Sequence, residues 1–167
     1  MNRFLLTLSF LSFLTDVFPQ KINFEFDYAQ FGYDSLSNYV EFYYSFNQVG
    51  LTYIDTDTAD YVQGVLQIEI NDSITSNNII NKHWIISNEI TDTVNLDKSL
   101  IGLVGFVIDK GSYIINITGS DANNPLNKKT INEKISVQPF LNSNLALSDV
   151  QLSSNIIPNS ENTSSIF

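Results

Sequence analysis

The chain has 167 residues and a formal net charge of -10, with 43% hydrophobic and 13% aromatic residues. This composition excludes disorder throughout, and the length fits one domain with one core. The acidic balance disfavours nucleic acid as a partner, because the summed field repels phosphate groups. There is no cysteine, so disulfides, thiolate zinc sites and cysteine nucleophiles are all excluded.

The first twenty residues differ from the rest of the chain. Arg3 supplies a positive charge, and Phe4 to Leu14 is an uncharged apolar run, shorter than the ~20 residues that cross a bilayer. The pattern predicts a signal peptide over residues 1–20 and a secreted or periplasmic protein of the cell envelope. The alternative is a buried N-terminal helix. No later uncharged segment reaches membrane-spanning length, so we expect no membrane span.

From residue 21 onward the hydrophobic pattern has a period of two, which is typical of half-buried strands. In the segment Tyr39–Phe46, one predicted face consists of Val40, Phe42, Tyr44 and Phe46. The same alternation recurs in three later segments, namely 61–70, 112–118 and 130–137. Segments 79–87 and 100–108 are more uniformly apolar, which predicts strands covered on both faces, or a short helix for one of them. Their β-branched residues favour strands.

Turn-forming residues separate these segments, because Gly, Pro, Asn and Asp cluster at 47–50, 71–78, 109–111 and 119–127. Strands at short spacing with such joints predict an all-β fold, an Ig-like antiparallel β-sandwich of seven to nine strands with little or no helix. We place this domain at residues 21–157. Residues 158–167 are polar and predict a linker, and we expect the sequence to be truncated after it.

Asp109, Gly111 and Tyr113 form the most specific local pattern. In Ig-like sandwiches a Tyr two residues after a turn Gly begins the penultimate strand, and its hydroxyl bonds to the backbone a few residues upstream. The spacing therefore predicts a structural corner. A catalytic role for Tyr113 is disfavoured, because no adjacent group in the sequence would shift its pKa.

Residues 145–157 have apolar positions too irregular for one strand or one helix face. The pattern predicts a bent segment that covers a sheet edge or an open face. The residues expected to face the sandwich are Leu145, Leu147, Val150 and Leu152.

Candidate reactive groups are few. Asp55, Asp57 and Asp60 offer oxygen ligands for calcium, but the Gly and the closing Glu of an EF-hand are missing, so a solvated turn is favoured. His83 is the single His and no G-x-S-x-G segment exists, which favours a plain strand residue. Glu25, Glu41 and Glu69 lie on polar strand faces, where solvated carboxylates outweigh a glycosidase-like pair. We expect no catalytic residue, metal or cofactor.

Several segments, in order, resemble the N-terminal β-rich region of bacterial GWxTD domain-containing proteins. They include "INFEFDYAQFGYDSLSNYVEFYYSF", "DKGSYIINITGSD" and "LALSDVQLSSNI", and the most specific parts are Tyr39–Tyr44 and Leu147–Val150. The resemblance runs from about Ile22 to Phe167, but the Gly-Trp-x-Thr-Asp motif is absent. It implies a β-rich, exported protein of Bacteroidetes-type lineages and no defined activity.

Two functions remain as hypotheses. The first is a non-enzymatic scaffold or protein-interaction module, whose partner is another protein or a downstream domain of the same full-length chain. The second is a carbohydrate- or surface-binding module that uses an exposed aromatic face formed by Tyr39, Tyr43 and Tyr61, since Tyr combines an apolar ring with a polar tip.

Overall fold

The structure, a computed structural model, describes residues 22–90, 97–139 and 147–150. Within these ranges the chain forms eight strands and one 3₁₀ turn at Gln48–Gly50. The strands are β1 (Phe24–Gly32), β2 (Ser37–Asn47), β3 (Tyr53–Ile54), β4 (Tyr61–Asp72), β5 (Asn78–Glu89), β6 (Ser99–Asp109), β7 (Gly111–Asp121) and β8 (Lys128–Val137). The predicted all-β class and strand number are confirmed.

Two antiparallel sheets pack face to face. Sheet A has three strands in the order β1-β2-β6. Sheet B contains β4, β7 and β8 in that order, with β5 on the other side of β4, and the short β3 pairs with the first two residues of β4. The chain changes sheet three times, between β2 and β3, between β5 and β6, and between β6 and β7. Among the described residues β6 pairs only with β2, so it is an edge strand of sheet A.

The core follows from the period-two pattern. Alternate residues of the strands point between the sheets, so the apolar set of each strand becomes one buried row. The most deeply buried side chains are Phe24, Val40, Phe42, Phe46, Val62, Leu66, Ile68, Ile70, Ile115, Ile117, Ile135 and Val137. The faces predicted for β2, β4, β7 and β8 are therefore confirmed.

The two uniformly apolar segments, now β5 and β6, are strands as their β-branched residues predict, but neither is covered on both faces. Ile85 on β5 is 65% exposed and Ile101 on β6 is 77% exposed. Each strand lies at the edge of its sheet, with its outward face towards solvent. The prediction of double coverage is wrong, because an apolar outward face does not itself require a covering layer.

Two aspartates close the turns of the β1–β2 and β4–β5 hairpins. The carboxylate of Asp34 accepts hydrogen bonds from the backbone of Leu36 and Ser37, and that of Asp72 from the backbone of Ile74 and Thr75. These bonds favour the ionised form, so they hold the pKa of each carboxyl below its usual value. This is the side-chain bonding that the turn composition predicts.

Other predictions concern segments outside the described residues. The signal peptide (1–20) and the linker (158–167) both lie there. Among the residues that the structure does describe, no helix has the length and apolar character needed to cross a bilayer.

Candidate functional site

Tyr113 lies where the chain passes from sheet A to sheet B. Its hydroxyl donates a 2.9 Å hydrogen bond to the carbonyl oxygen of Asp109, the upstream backbone contact that the spacing predicts. The ring lies against Gly111, where a Cβ would come within 2.8 Å of the Tyr113 hydroxyl oxygen. Burial, together with the charges of Asp109 and Asp72, raises the pKa of Tyr113, so the hydroxyl remains a donor. This geometry joins the end of β6 to the start of β7.

The three tyrosines of the expected aromatic face do not lie together. Tyr39 and Tyr43 lie on β2 and point outward from sheet A, whereas Tyr61 lies on β4 and points outward from sheet B. The prediction of one aromatic face formed by all three residues is therefore wrong for Tyr61. Alternation along a strand predicts which residues share a face, but it does not predict which sheet the strand joins.

The outward face of sheet A, which we call face A, is apolar, aromatic and acidic. The strand registers place its residues in three rows, which are Glu25, Asp27, Ala29 and Phe31 on β1, Tyr39, Glu41, Tyr43 and Ser45 on β2, and Ile101, Leu103, Gly105 and Val107 on β6. None of these residues is Lys, Arg or His. Ile101 and Val107 are 77% and 46% exposed.

A depression of about 420 Å³ lies in face A. One side is formed by the carboxylate-bearing Glu25 and Asp27 of β1, and the other by Ile101 and Leu103 of β6. Tyr43 and Ser45 of β2 lie between these sides. The depression therefore offers hydrogen-bond acceptors on one side and apolar contact on the other.

Tyr43 connects the aromatic and acidic parts of face A. Its hydroxyl donates a hydrogen bond to the carboxylate of Glu41. Burial, this hydrogen bond and the charges of Glu41 and Asp27 all raise the pKa of Tyr43, so its hydroxyl stays protonated at neutral pH. The bond fixes the Tyr43 ring and one carboxylate oxygen of Glu41 relative to each other.

The outward face of sheet B, which we call face B, has a different composition. Its central rows are mostly uncharged polar residues, including Gln63, Gln67, Asn81, Ser87, Asn116, Thr118, Ser120, Thr130, Asn132 and Ser136. These groups partly satisfy each other, since the hydroxyls of Thr118 and Thr130 lie 2.9 Å apart. The exposed His83 and the Glu69 carboxylate also lie on this face, and Glu69 accepts a 2.9 Å bond from Gln67.

The aspartates at 55, 57 and 60 do not converge on a common point. Among the described residues, no group of three or more His, Cys, Asp or Glu side chains could hold a metal ion. Asp60 instead accepts a hydrogen bond from the hydroxyl of Tyr53. This bond, with the nearby negative charge, raises the pKa of Tyr53 to about 12.

The terminal segment contacts an edge strand, but not through its apolar residues. The backbone N–H of Asp149 donates to the carbonyl of Gln30 (3.1 Å), and the N–H of Gln30 donates to the Asp149 carboxylate (2.8 Å). These bonds place residues 147–150 beside β1, an edge of sheet A. Leu147 and Val150 are 85% and 81% exposed, so the prediction that they face the sandwich is wrong. Leu145 and Leu152 lie outside the described residues.

A buried polar cluster at one end of the sandwich was not predicted. Asp121 is 1% exposed, and its carboxylate accepts bonds from the N–H and hydroxyl of Thr52 (2.7 and 2.6 Å) and from the N–H of Asn123 (2.9 Å). Asn127 accepts from the N–H of Ile22 and donates to the carbonyl of Gly50. Both residues belong to the segment 119–127, where the composition predicts only ordinary turn residues.

No known protein family, curated protein or solved structure matches this sequence. The resemblance to the GWxTD domain-containing proteins therefore stays a prediction.

Proposed function

We propose that this domain is a non-enzymatic scaffold or protein-interaction module of a larger envelope or secreted protein, and that face A is its docking surface. The observation that supports this most is the difference between the two outward faces. Face B is mostly polar, and its exposed apolar side chains, Ile79, Ile85 and Ile114, lie among mostly uncharged polar groups. On face A, aromatic and apolar side chains instead lie beside three carboxylates, Glu25, Asp27 and Glu41, with no cationic residue.

The composition of face A is typical of a protein-binding surface. Aromatic residues are enriched at interfaces, and an exposed apolar patch with a polar rim marks an interaction site more often than a plain surface. The carboxylates of β1 and β2 have no cationic residue beside them on face A. A partner with a basic rim would supply the missing charge and associate faster through electrostatic steering.

The first test uses site-specific photocrosslinking in the native cells. A photoreactive amino acid replaces Ile101 on face A or, as a matched control, Ile85 on face B, and these side chains are similarly exposed, at 77% and 65%. We expect a discrete crosslinked partner from position 101 and none from position 85. Equal products from both positions, or none from position 101, would contradict the assignment of face A.

Carbohydrate binding is a second candidate, because the depression in face A places the ring of Tyr43 beside the acceptor groups of Glu25 and Asp27. Sugar rings stack on aromatic faces while carboxylates accept bonds from their hydroxyls. Titration with a panel of neutral oligosaccharides, followed by calorimetry, tests this. We expect binding that Tyr43→Ala abolishes and Tyr61→Ala, the control on face B, leaves unchanged. Absence of binding at millimolar concentrations would remove this candidate.

A further inference from the structure

β6 is an edge strand without the usual protection. Within the described residues it pairs only with β2, and its 11 residues include no Pro and no charge before Asp109. The other edge strands all carry charged residues. These are Lys128, Lys129, Glu133 and Lys134 on β8, Lys82 and Glu89 on β5, and Glu25 and Asp27 on β1. The β1 edge is also contacted by Asp149. Charges on an edge strand discourage pairing with another chain, so β6 is the edge most open to it.

The register shows which backbone groups of β6 point to the free edge. The N–H of Lys110 donates to the carbonyl of Leu36, and the carbonyl of Lys98 accepts from the N–H of Gln48. Lys98 and Lys110 flank β6, so the even-numbered residues between them also direct their backbone groups towards β2. Successive residues of a strand direct their N–H and C=O groups to alternate sides. Between the two end residues of β6, the free edge therefore presents the backbone groups of Ile101, Leu103, Gly105 and Val107, whose side chains belong to face A.

The core is also incompletely covered beside this edge. Sheet A has three strands where sheet B has four main ones, and β5 lies over β6, with the rings of Trp84 and Phe106 6.2 Å apart. The core-facing residues here are only half-buried, namely Ile80, Trp84 and Ile86 of β5 and Val104 and Phe106 of β6. By contrast, Phe42 and Leu66 in the neighbouring strands are almost fully buried. A strand added beside β6 would cover the apolar residues of β5.

We propose that the free edge of β6 accepts one extended segment of a partner protein as a fourth strand of sheet A. Such strand addition obtains affinity from main-chain hydrogen bonds and specificity from alternate side chains. The inward side chains of the added segment are apolar, because they meet Trp84 and its neighbours. Its outward side chains include Lys or Arg, because face A has carboxylates and no cation. This inference rests on the proposed interaction function and names the class of partner.

A glycine allows the added segment to approach the acidic row. Gly105 lies opposite Glu41 on β2, and the hydroxyl of Tyr39 occupies the space where a Cβ on Gly105 would lie. Gly105 therefore adds no side chain between the edge and the Tyr39 hydroxyl. A Lys or Arg across from Gly105 would have this hydroxyl as a hydrogen-bond acceptor, and the register places Glu41 one strand further in, on β2.

A second copy of the chain fits this edge less well. It would have the same net charge of -10, so the two copies would repel each other. A single extended segment with cationic side chains does not bring this negative charge.

The probe is a capped synthetic peptide of about nine residues, close to the length of a long natural strand. Its sequence is Lys-Val-Thr-Val-Lys-Val-Thr-Val-Lys, with Val on one face and Lys and Thr on the other, and the control peptide has Glu in place of each Lys. Trp84 is the single Trp, so its emission reports coverage of β5 directly. We expect the Lys peptide to shift this emission to shorter wavelength, to protect the amides of Ile101 and Leu103 from hydrogen exchange, and to bind about tenfold or more tightly than the Glu peptide.

The matched variants are Ile101→Pro and Ile101→Thr. Both variants replace the same exposed side chain, and neither loses a backbone hydrogen bond between β2 and β6. Only the Pro variant loses the N–H of residue 101, which points to the free edge. We expect the Thr variant to bind the Lys peptide like the native chain and the Pro variant to bind it about tenfold more weakly or not at all. Val107→Pro and Val107→Thr repeat the comparison at the other end of β6, should Ile101→Pro fail to fold.

Equal binding by the Pro and Thr variants, or equal binding of the Lys and Glu peptides, would overturn the inference. So would a native dimer in sedimentation analysis that Ile101→Pro dissociates, because the edge would then belong to a second copy. If position 101 still yields a crosslinked partner in cells while no strand peptide binds, face A remains the docking surface and strand addition alone is refuted.

Discussion

Replacing Tyr113 by alanine is expected to lower the free energy of unfolding by ~3 to 5 kcal/mol, the usual loss when a large buried side chain leaves a cavity. The ring is 6% exposed and lies between the strand ends where the chain crosses from sheet A to sheet B. Removing it also removes the hydrogen bond to the carbonyl of Asp109. Urea denaturation of both proteins at neutral pH measures the difference.

Tyr113→Phe separates the hydrogen bond from the cavity. The ring stays in place, so only the bond to the Asp109 carbonyl is lost, and we expect a decrease of about 1 kcal/mol. A Phe variant with an unchanged denaturation midpoint would show that the hydroxyl does not hold the corner. An effect as large as that of alanine would show that the hydroxyl, rather than packing, dominates.

Asp121→Ala is the other substitution with a large expected effect. The buried carboxylate accepts three hydrogen bonds within 3 Å from Thr52 and Asn123, which are themselves exposed, and alanine would remove this acceptor. Hydrogen bonds to a charged group contribute ~1.5 to 3 kcal/mol each, but water can replace part of this bonding at the exposed donors, so we expect a total loss of about 3 kcal/mol. Thermal and urea unfolding measure it.

Asp121→Asn is the matched control for this cluster. The amide keeps one acceptor oxygen and replaces the other with a donor, which then faces a donor on Thr52 or on Asn123. We expect a stability between those of the native chain and the alanine variant. If alanine and native proteins unfold at the same urea concentration, the cluster does not hold this end of the sandwich together.

The unprotected β6 edge carries a risk that the other edges avoid. An 11-residue apolar strand whose outer backbone groups have no strand partner within residues 22–90, 97–139 and 147–150 is a template for aggregation, and one Lys at Leu103 or Val107 would reduce this risk. Neither position carries one, while β8 carries four charges. A strand that pairs with a partner segment needs an edge without charges or Pro. The composition of β6 therefore agrees with the proposed strand addition.

The sequence alone determined the local features. Residues two apart in a strand lie on one face by geometry, so the buried row of Val40, Phe42 and Phe46 followed directly from the pattern. The bond from Tyr113 to Asp109 spans four residues and a turn, so its spacing was also visible in the sequence. Both features depend on short-range backbone geometry, which neighbouring residues determine.

The tertiary structure alone decided which distant elements meet. The pattern around Tyr61 resembles that around Tyr43, yet β4 joins sheet B and β2 joins sheet A, so the two rings lie on opposite faces. Asp121 is predicted as a turn residue, but the segment containing Thr52 folds against it. The segment of β6 is predicted as a strand covered on both faces, but in the part of the chain that the structure describes it pairs only with β2 and one face is exposed. Strand pairing and loop closure depend on the packing free energy of the whole core, which no local period in the sequence encodes.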